Sequence, residues 1–332
     1  MKSRFLIAAA AIVVLAGCAA TDSTEGEPSD DDILVVASTN VYGDIAGSIG
    51  GDAVSVTSII SSAAQDPHSF EASAQDQLAI SKADLVVRNG GGYDPFIETL
   101  LAGSGSNAAV ITATELGEHD HESENPANET AEPDDTEPDD AEHAEHGHDE
   151  HAHDHSANEH VWYDLHVMRE LAHELAHVLA ELDPAQADAF HERFEQFAAG
   201  IDQLEADVAA IDFEAAGAVV TEPVALFLLE DAGLDNLTPS EFTEAIEEGG
   251  DVPPRALLET LDLFAGAGAG TGAVAVLAYN EQTASAETER VRDAAADAGV
   301  PIVSFTETLP EGEDYLSWMT ANVESLAQAS ER

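Results

Sequence analysis

Between Glu115 and Glu159 the chain carries eight histidines (His119, His121, His143, His146, His148, His151, His153 and His155) among eighteen carboxylates, with no Lys or Arg. Neutral imidazole is a preferred ligand for zinc, copper and nickel, and neighbouring acids concentrate cations around it. The repeated His-x-His spacing points to metal contact rather than to an acidic spacer. A stretch this polar, broken by Pro126, Pro133 and Pro138, has too little to bury and is expected to stay disordered. Each ligand must then be immobilised on binding, so the arm should gather several ions loosely. It announces metal, and a tight site is expected elsewhere.

His173-Glu174-Leu175-Ala176-His177 fits a second metal chemistry, the helix motif of zinc proteases, in which two histidines hold the ion and the Glu activates water. At about 100° per residue, His166, His173 and His177 fall opposite Leu175, the centre of an apolar stripe. They should form an exposed row, whereas a catalytic pair needs walls and a third ligand. No His-x-x-Gly-x-x-His extension follows, and Glu192 and Glu195 are the nearest downstream carboxylates. A protease is thus the weaker reading, and no catalysed reaction is expected.

The elements that must position a tight site are read from apolar runs. Ile33–Ser38, Val54–Ile60, Leu85–Val87 and Ala109–Ala113 are strand candidates, with helices expected near 41–49, 74–81 and 94–101 and a turn at Gly90-Gly91-Gly92. Residues 166–211 lack a strand signal and repeat apolar residues at helical spacing, either as two helices meeting near Pro184 or as one kinked helix. Alternation restarts with strands at 218–221, 274–279 and 302–305 and helices at 224–232, near Ser240, and at 254–264, 284–298 and 315–327. Continuous apolar strands alternating with helices predict parallel sheets covered on both faces. The fold class expected is α/β, in two lobes, each a parallel sheet flanked by helices, joined by a long rigid helix. The expected organisation is a leader over 1–17, a tether over 18–32, a first lobe over 33–165 that includes the His/acid-rich loop 115–159, a linking helical segment over 166–211 and a second lobe over 212–332.

Ligands of open α/β sheets bind beyond the carboxyl ends of the strands. That rule selects the loops holding His68, His160, Thr221-Glu222-Pro223 and Asn280-Glu281-Gln282. Histidine and carboxylate ligands arriving from both lobes would enclose one metal ion in the cleft, a set that suits zinc and is compatible with manganese.

Asp66-Pro67-His68-Ser69-Phe70-Glu71, His160-Val161-Trp162 before a long helix, Thr221-Glu222-Pro223 and Glu307-Thr308-Leu309-Pro310 together resemble the zinc and manganese solute-binding proteins of bacterial ABC transporters. The resemblance runs from Ile33 to the C-terminus. It implies capture of Zn2+, with Mn2+ as the alternative, and delivery to an ABC permease by a monomer. His68, His160 and Glu222 match the family's first three ligands. The fourth, an Asp or Glu after the strand ending at Tyr279, is not matched: Asn280, Gln282 and Thr283 stand there, leaving Glu281, the Asn280 amide or water to complete the shell. A missing carboxylate favours zinc over the harder manganese.

The N-terminus supports an extracytoplasmic place. Lys2 and Arg4 precede an apolar run from Phe5 to Leu15, too short for a permanent span, and Leu15-Ala16-Gly17-Cys18 resembles a bacterial lipobox. Cys18, the single cysteine, would carry the lipid that holds the protein to the cell membrane. The formal charge of −57 excludes nucleic acid, whose phosphates would be repelled. The only lysines are Lys2 and Lys82, and so acidic a surface predicts tolerance of high external salt.

Overall fold

The computed structural model describes residues 32–62, 65, 70–116, 158–265 and 274–332. The leader, the tether, His68 and most of the histidine-rich arm lie outside them. In the first lobe, β1 (Ile33–Thr39) leads to α1 (Asn40–Gly50), β2 (Val54–Ile60), α2 (Ala74–Lys82), β3 (Leu85–Arg88), α3 (Pro95–Ser104), β4 (Ala109–Thr112) and the single turn α4 (Ala113–Leu116). The four strands are parallel in the order β2-β1-β3-β4. The central strands β1 and β3 lack polar alternation for a simple reason. Val35, Ala37, Leu85 and Val87 enter one buried cluster while Val36 and Val86 enter another on the opposite face, so both faces need apolar residues.

After a 3-10 turn at Val161–Tyr163, α5 (Leu165–Leu182) begins where the Asp164 carboxylate accepts from the Val167 amide at 3.1 Å. Pro184 separates α5 from α6 (Ala187–Ala209), so of the two alternatives the pair of helices is the one adopted. Both helices pack side by side through the apolar stripe of Leu171, Leu175 and Leu179 and that of Phe190, Phe197 and Ile201. The protease-like histidines behave as the helix geometry requires: His166, His173 and His177 are exposed while Leu175 is buried.

The second lobe comprises β5 (Gly217–Val220), a 3-10 turn at Pro223–Ala225, α7 (Leu226–Asp231), β6 (Asp235–Asn236), α8 (Ser240–Glu247), α9 (Pro254–Asp262), β7 (Val274–Asn280), α10 (Ala286–Ala298), β8 (Ile302–Phe305) and α11 (Tyr315–Ser330). Its parallel sheet runs β6-β5-β7-β8, the same order as the first. In each lobe the chain leaves its first strand in one direction and returns to the other side, which places a switch point at the carboxyl ends of β1/β3 and of β5/β7. α6, about 34 Å long at about 1.5 Å per residue, touches α1 of the first lobe and α7 and α11 of the second. It is the long helix that joins them. A single apolar cluster runs from Val35 and Leu85, through Leu175 and Ile201, to Val220 and Met319, so the lobes share a core. No helix among the described residues is long and apolar enough to cross a membrane.

Candidate metal centre

His160 sits on the connection into α5 and is buried, with 1% of its surface exposed. Asn158 holds it twice: Asn158 Oδ1 accepts from the His160 backbone amide at 3.2 Å and lies 2.8 Å from ring Nδ1. An Nδ1–H donated to that oxygen fixes the tautomer in which Nε2 carries the lone pair, as metal-ligating histidines require. Tyr93 and Trp162 wall the ring, with centroids 5.9 and 5.1 Å away. On the Nε2 side stands Glu247, the last residue of α8 in the other lobe, its Oε1 at 3.7 Å.

The glycine turn after β3 makes room for this arrangement. Asn89 and Gly90 amides donate to the two oxygens of Asp94 at 2.7 and 2.9 Å, closing the turn. Gly90 has φ +80°, and a Cβ there would meet Thr112 Cγ2 at 2.4 Å. At Gly92, φ +106°, a Cβ would sit 3.1 Å from Glu159 Oε2. The turn therefore lies directly against the residue before His160, and Asn89 Nδ2 donates to the Glu159 carbonyl at 2.9 Å.

Glu222, 4% exposed, follows β5. It stands at the N-cap of the Pro223–Ala225 turn yet makes no capping bond with its side chain, so helix capping does not explain it. Its Oε2 instead accepts from Asn280 Nδ2 and, at 2.5 Å, from Thr283 Oγ1. Asn280 Nδ2 also donates to Glu307 Oε1 at 2.8 Å, while its Oδ1 accepts from the Gln282 amide at 3.0 Å. One amide thus bridges two buried carboxylates, its oxygen committed to backbone. Glu307 Oε2 accepts from Tyr93 OH at 3.2 Å, which ties the first lobe to the second. Glu281 points elsewhere: it is exposed, and Oε1 accepts from Ser304 Oγ at 2.7 Å.

Carboxyl groups crowd together at this junction and resist ionisation. Burial, then the charge of Glu247, raises the Glu159 carboxyl to about 8; burial, then Glu307, raises Glu247 to about 7. Burial and Glu307 likewise push the Tyr93 phenol well up. Arg88, Arg169 and Arg255 pair away from it, with Glu98, Asp202 and Glu259. Carboxylates gathered out of water in this way are what a divalent cation neutralises.

The structure thus brings His160 beside Glu247 and Glu159, and Glu222 beside Asn280, Thr283 and, through the amide, Glu307. Among the described residues no group of three His, Cys, Asp or Glu side chains is placed to hold an ion; His68 and Cys18 lie outside them. Sequence reasoning missed Glu247, Asn158, Tyr93 and the bridging role of Glu307. One signal for Glu247 existed: an acid in the last turn of a helix opposes the helix dipole and invites another explanation.

The family described as "Zinc-uptake complex component A periplasmic" matches residues 35–329. A manganese ABC transporter substrate-binding lipoprotein, scaA of Streptococcus gordonii, is 38% identical over 90 residues, 27% of this chain and 28% of that protein. The chain thus aligns with only about a quarter of the length of that relative. Among solved structures, the periplasmic zinc-binding protein TroA of Treponema pallidum superposes with a TM-score of 0.66 at 16% identity, covering 91% of this chain and 100% of that one. The solute-binding protein FpvC of Pseudomonas aeruginosa, in complex with Mn2+, gives 0.65 at 22%, covering 90% and 98%. These structural likenesses establish a common two-lobed α/β fold.

Proposed function

From the chain's membership of the zinc-uptake complex component A family, we propose that it captures Zn2+ between its lobes, outside the cytoplasm, and hands the ion to an ABC permease. This is a transport family and not an enzyme family. The ligands proposed are His68, His160 and Glu222, with Cys18 as the lipid-bearing residue that anchors the protein to the membrane, and the working unit is a monomer. The naming of a relative as a lipoprotein supports the anchor.

One observation carries the reading: a fully buried imidazole, its Nδ1 fixed by Asn158, presents Nε2 to a junction of carboxylates. A buried histidine kept for packing would need no such surroundings, and the carboxylates would be costly without a cation. The histidine-rich arm ends at His160 and is proposed to gather ions beside the site. Titration of metal-free protein with zinc tests this. Deleting 118–156 should leave one tight site, and His68→Ala should remove it; a tight site that vanishes with the arm would make the protein a surface buffer instead.

Manganese is the second reading, favoured by oxygen donors at the junction, Glu222, Glu247, Glu159 and Glu307, which suit a harder ion. Competition between the two metals for the arm-deleted protein decides, with Zn2+ expected to displace Mn2+.

A further inference from the structure

The connection after β7 carries no carboxylate aimed at the junction. Glu281 is exposed and bonded to Ser304, and the Asn280 oxygen is taken by the Gln282 amide while its nitrogen faces Glu222 and Glu307. Swinging the Asn280 oxygen toward an ion would break three hydrogen bonds and leave two buried carboxylates without their shared donor. A carboxylate that does stand beside His160 Nε2, at 3.7 Å, comes from a different element, the C-terminal end of α8.

We propose that Glu247 is a direct ligand of the transported ion, bound together with His160, and takes the place that Asn280 and Glu281 cannot fill. This rests on the capture of the ion by His160. The separation fits. A charge-assisted N–H···O bond closes to about 2.7–2.9 Å, whereas two ligands about 2.0–2.1 Å from a tetrahedral ion lie about 3.3 Å apart. His160 Nε2 and Glu247 Oε1, at 3.7 Å, are too far for the first and need to move only a few tenths of an ångström for the second. Their origins also matter. His160 belongs to the first lobe and Glu247 to the second, so a shared ion cross-links the lobes at the end of α8. An acid at the C-terminal turn of a helix, unfavourable on its own, gains a counter-charge when the ion arrives.

The test uses the full-length chain, stripped of metal, with zinc and cobalt(II) as probes. Glu247→Gln should weaken zinc binding by more than the roughly 100-fold that loss of an outer hydrogen-bond partner costs, while Glu281→Gln should leave it unchanged. Glu247→Cys loaded with cobalt should show a thiolate-to-cobalt charge-transfer band absent from the parent protein, which a residue that merely positions others would not produce. Loss of affinity in Glu247→Gln without that band, or unchanged affinity, overturns the assignment. His160→Ala separates the two levels. If it abolishes tight binding while Glu247→Gln does not, the capture reading stands and the role of Glu247 falls; if it leaves binding intact, both fall.

Discussion

Asn40 and Leu309 close a ring of two hydrogen bonds across the lobes: Asn40 Nδ2 donates to the Leu309 carbonyl at 2.9 Å, and the Leu309 amide donates to Asn40 Oδ1 at 3.0 Å. Neighbouring bonds reinforce it, from the Tyr315 amide to Asp44 at 2.8 Å, from Tyr163 OH to the Thr306 carbonyl at 2.9 Å and from Tyr315 OH to the Trp162 carbonyl at 2.8 Å. The segment after β8 is therefore pinned to the start of α1 and to the turn after His160. Asn40→Ala leaves a part-buried amide and carbonyl without partners and should cost about 1–3 kcal/mol, read as a lower unfolding midpoint. With the shared core and α6, this pinning also limits hinge motion. Radii of gyration of metal-free and zinc-loaded protein should agree closely, and a change of several ångströms would contradict the pinned arrangement.

Metal-free protein should become less stable as the pH rises through neutrality. Burial and mutual repulsion hold Glu159 at about 8 and Glu247 at about 7, against about 4.3 for an unperturbed Glu. Because the folded values are raised, the folded state retains protons that the unfolded chain has released. The associated stability is full below about pH 4 and is lost progressively up to about pH 8. Unfolding midpoints in chelator should fall between about pH 6 and pH 8.5, and Glu159→Gln should flatten that fall. Bound zinc should have the same flattening effect, since its charge favours the ionised carboxylates. A rising midpoint over this window would show that the carboxylates do not repel one another as their placement implies.

Gly90 offers a sharper structural test. Its φ of +80° and the 2.4 Å approach of a hypothetical Cβ to Thr112 make Gly90→Ala both strained and clashing. The strain is of order 1–3 kcal/mol, and relief requires the turn to move against Glu159 and His160. Zinc affinity should therefore fall along with thermal stability, whereas Gly105→Ala, with φ +65° and open space around its Cβ, should lower stability alone.

What could be read from the chain depended on how local its causes were. β1 and β7 were legible because strands buried on both faces are continuous apolar runs, the edge strands β2 and β8 because β-branched and apolar residues dominate them, and the break between α5 and α6 was marked by Pro184. β6 was not anticipated, since Asp235–Asn236 is two exposed polar residues whose pairing with β5 is set by the neighbouring sheet. Glu222 was legible because a strand end and a following proline locate it. Glu247 was not, because its meeting with His160 depends on how α8 packs in the other lobe. The orientation of Asn280 was equally hidden: the residue type named a possible oxygen ligand, and only the surrounding Glu222, Glu307 and Gln282 decide which end of the amide faces the junction.

The acidic surface makes a prediction of its own. With 67 acids against 10 bases, like charges repel at every separation within a Debye length, about 10 Å at 0.1 M salt and about 3 Å at 1 M. Unfolding midpoints should rise from dilute buffer to molar salt. An absence of that gain would mean that repulsion is relieved locally and that composition is no guide to the working environment.

Asn280→Asp brings the site and its energetics together. In the metal-free protein the amide donates to Glu222 and Glu307 at once; an Asp can donate to neither when ionised and adds a third charge beside two buried ones. Removing a shared donor from buried carboxylates is among the costlier single changes, about 3–5 kcal/mol when a charge is left unpaired. The metal-free variant should thus unfold at a markedly lower temperature. Zinc should reverse the ranking if the new oxygen binds the ion where the amide was a spacer, since the stabilisation gained on saturation grows with affinity. The zinc-induced rise in midpoint should exceed that of the parent protein. If Glu247 is a ligand, Asn280→Asp should also restore part of the affinity lost in Glu247→Gln. A variant whose midpoint is unchanged without metal would mean that Asn280 does not bridge Glu222 and Glu307 in solution.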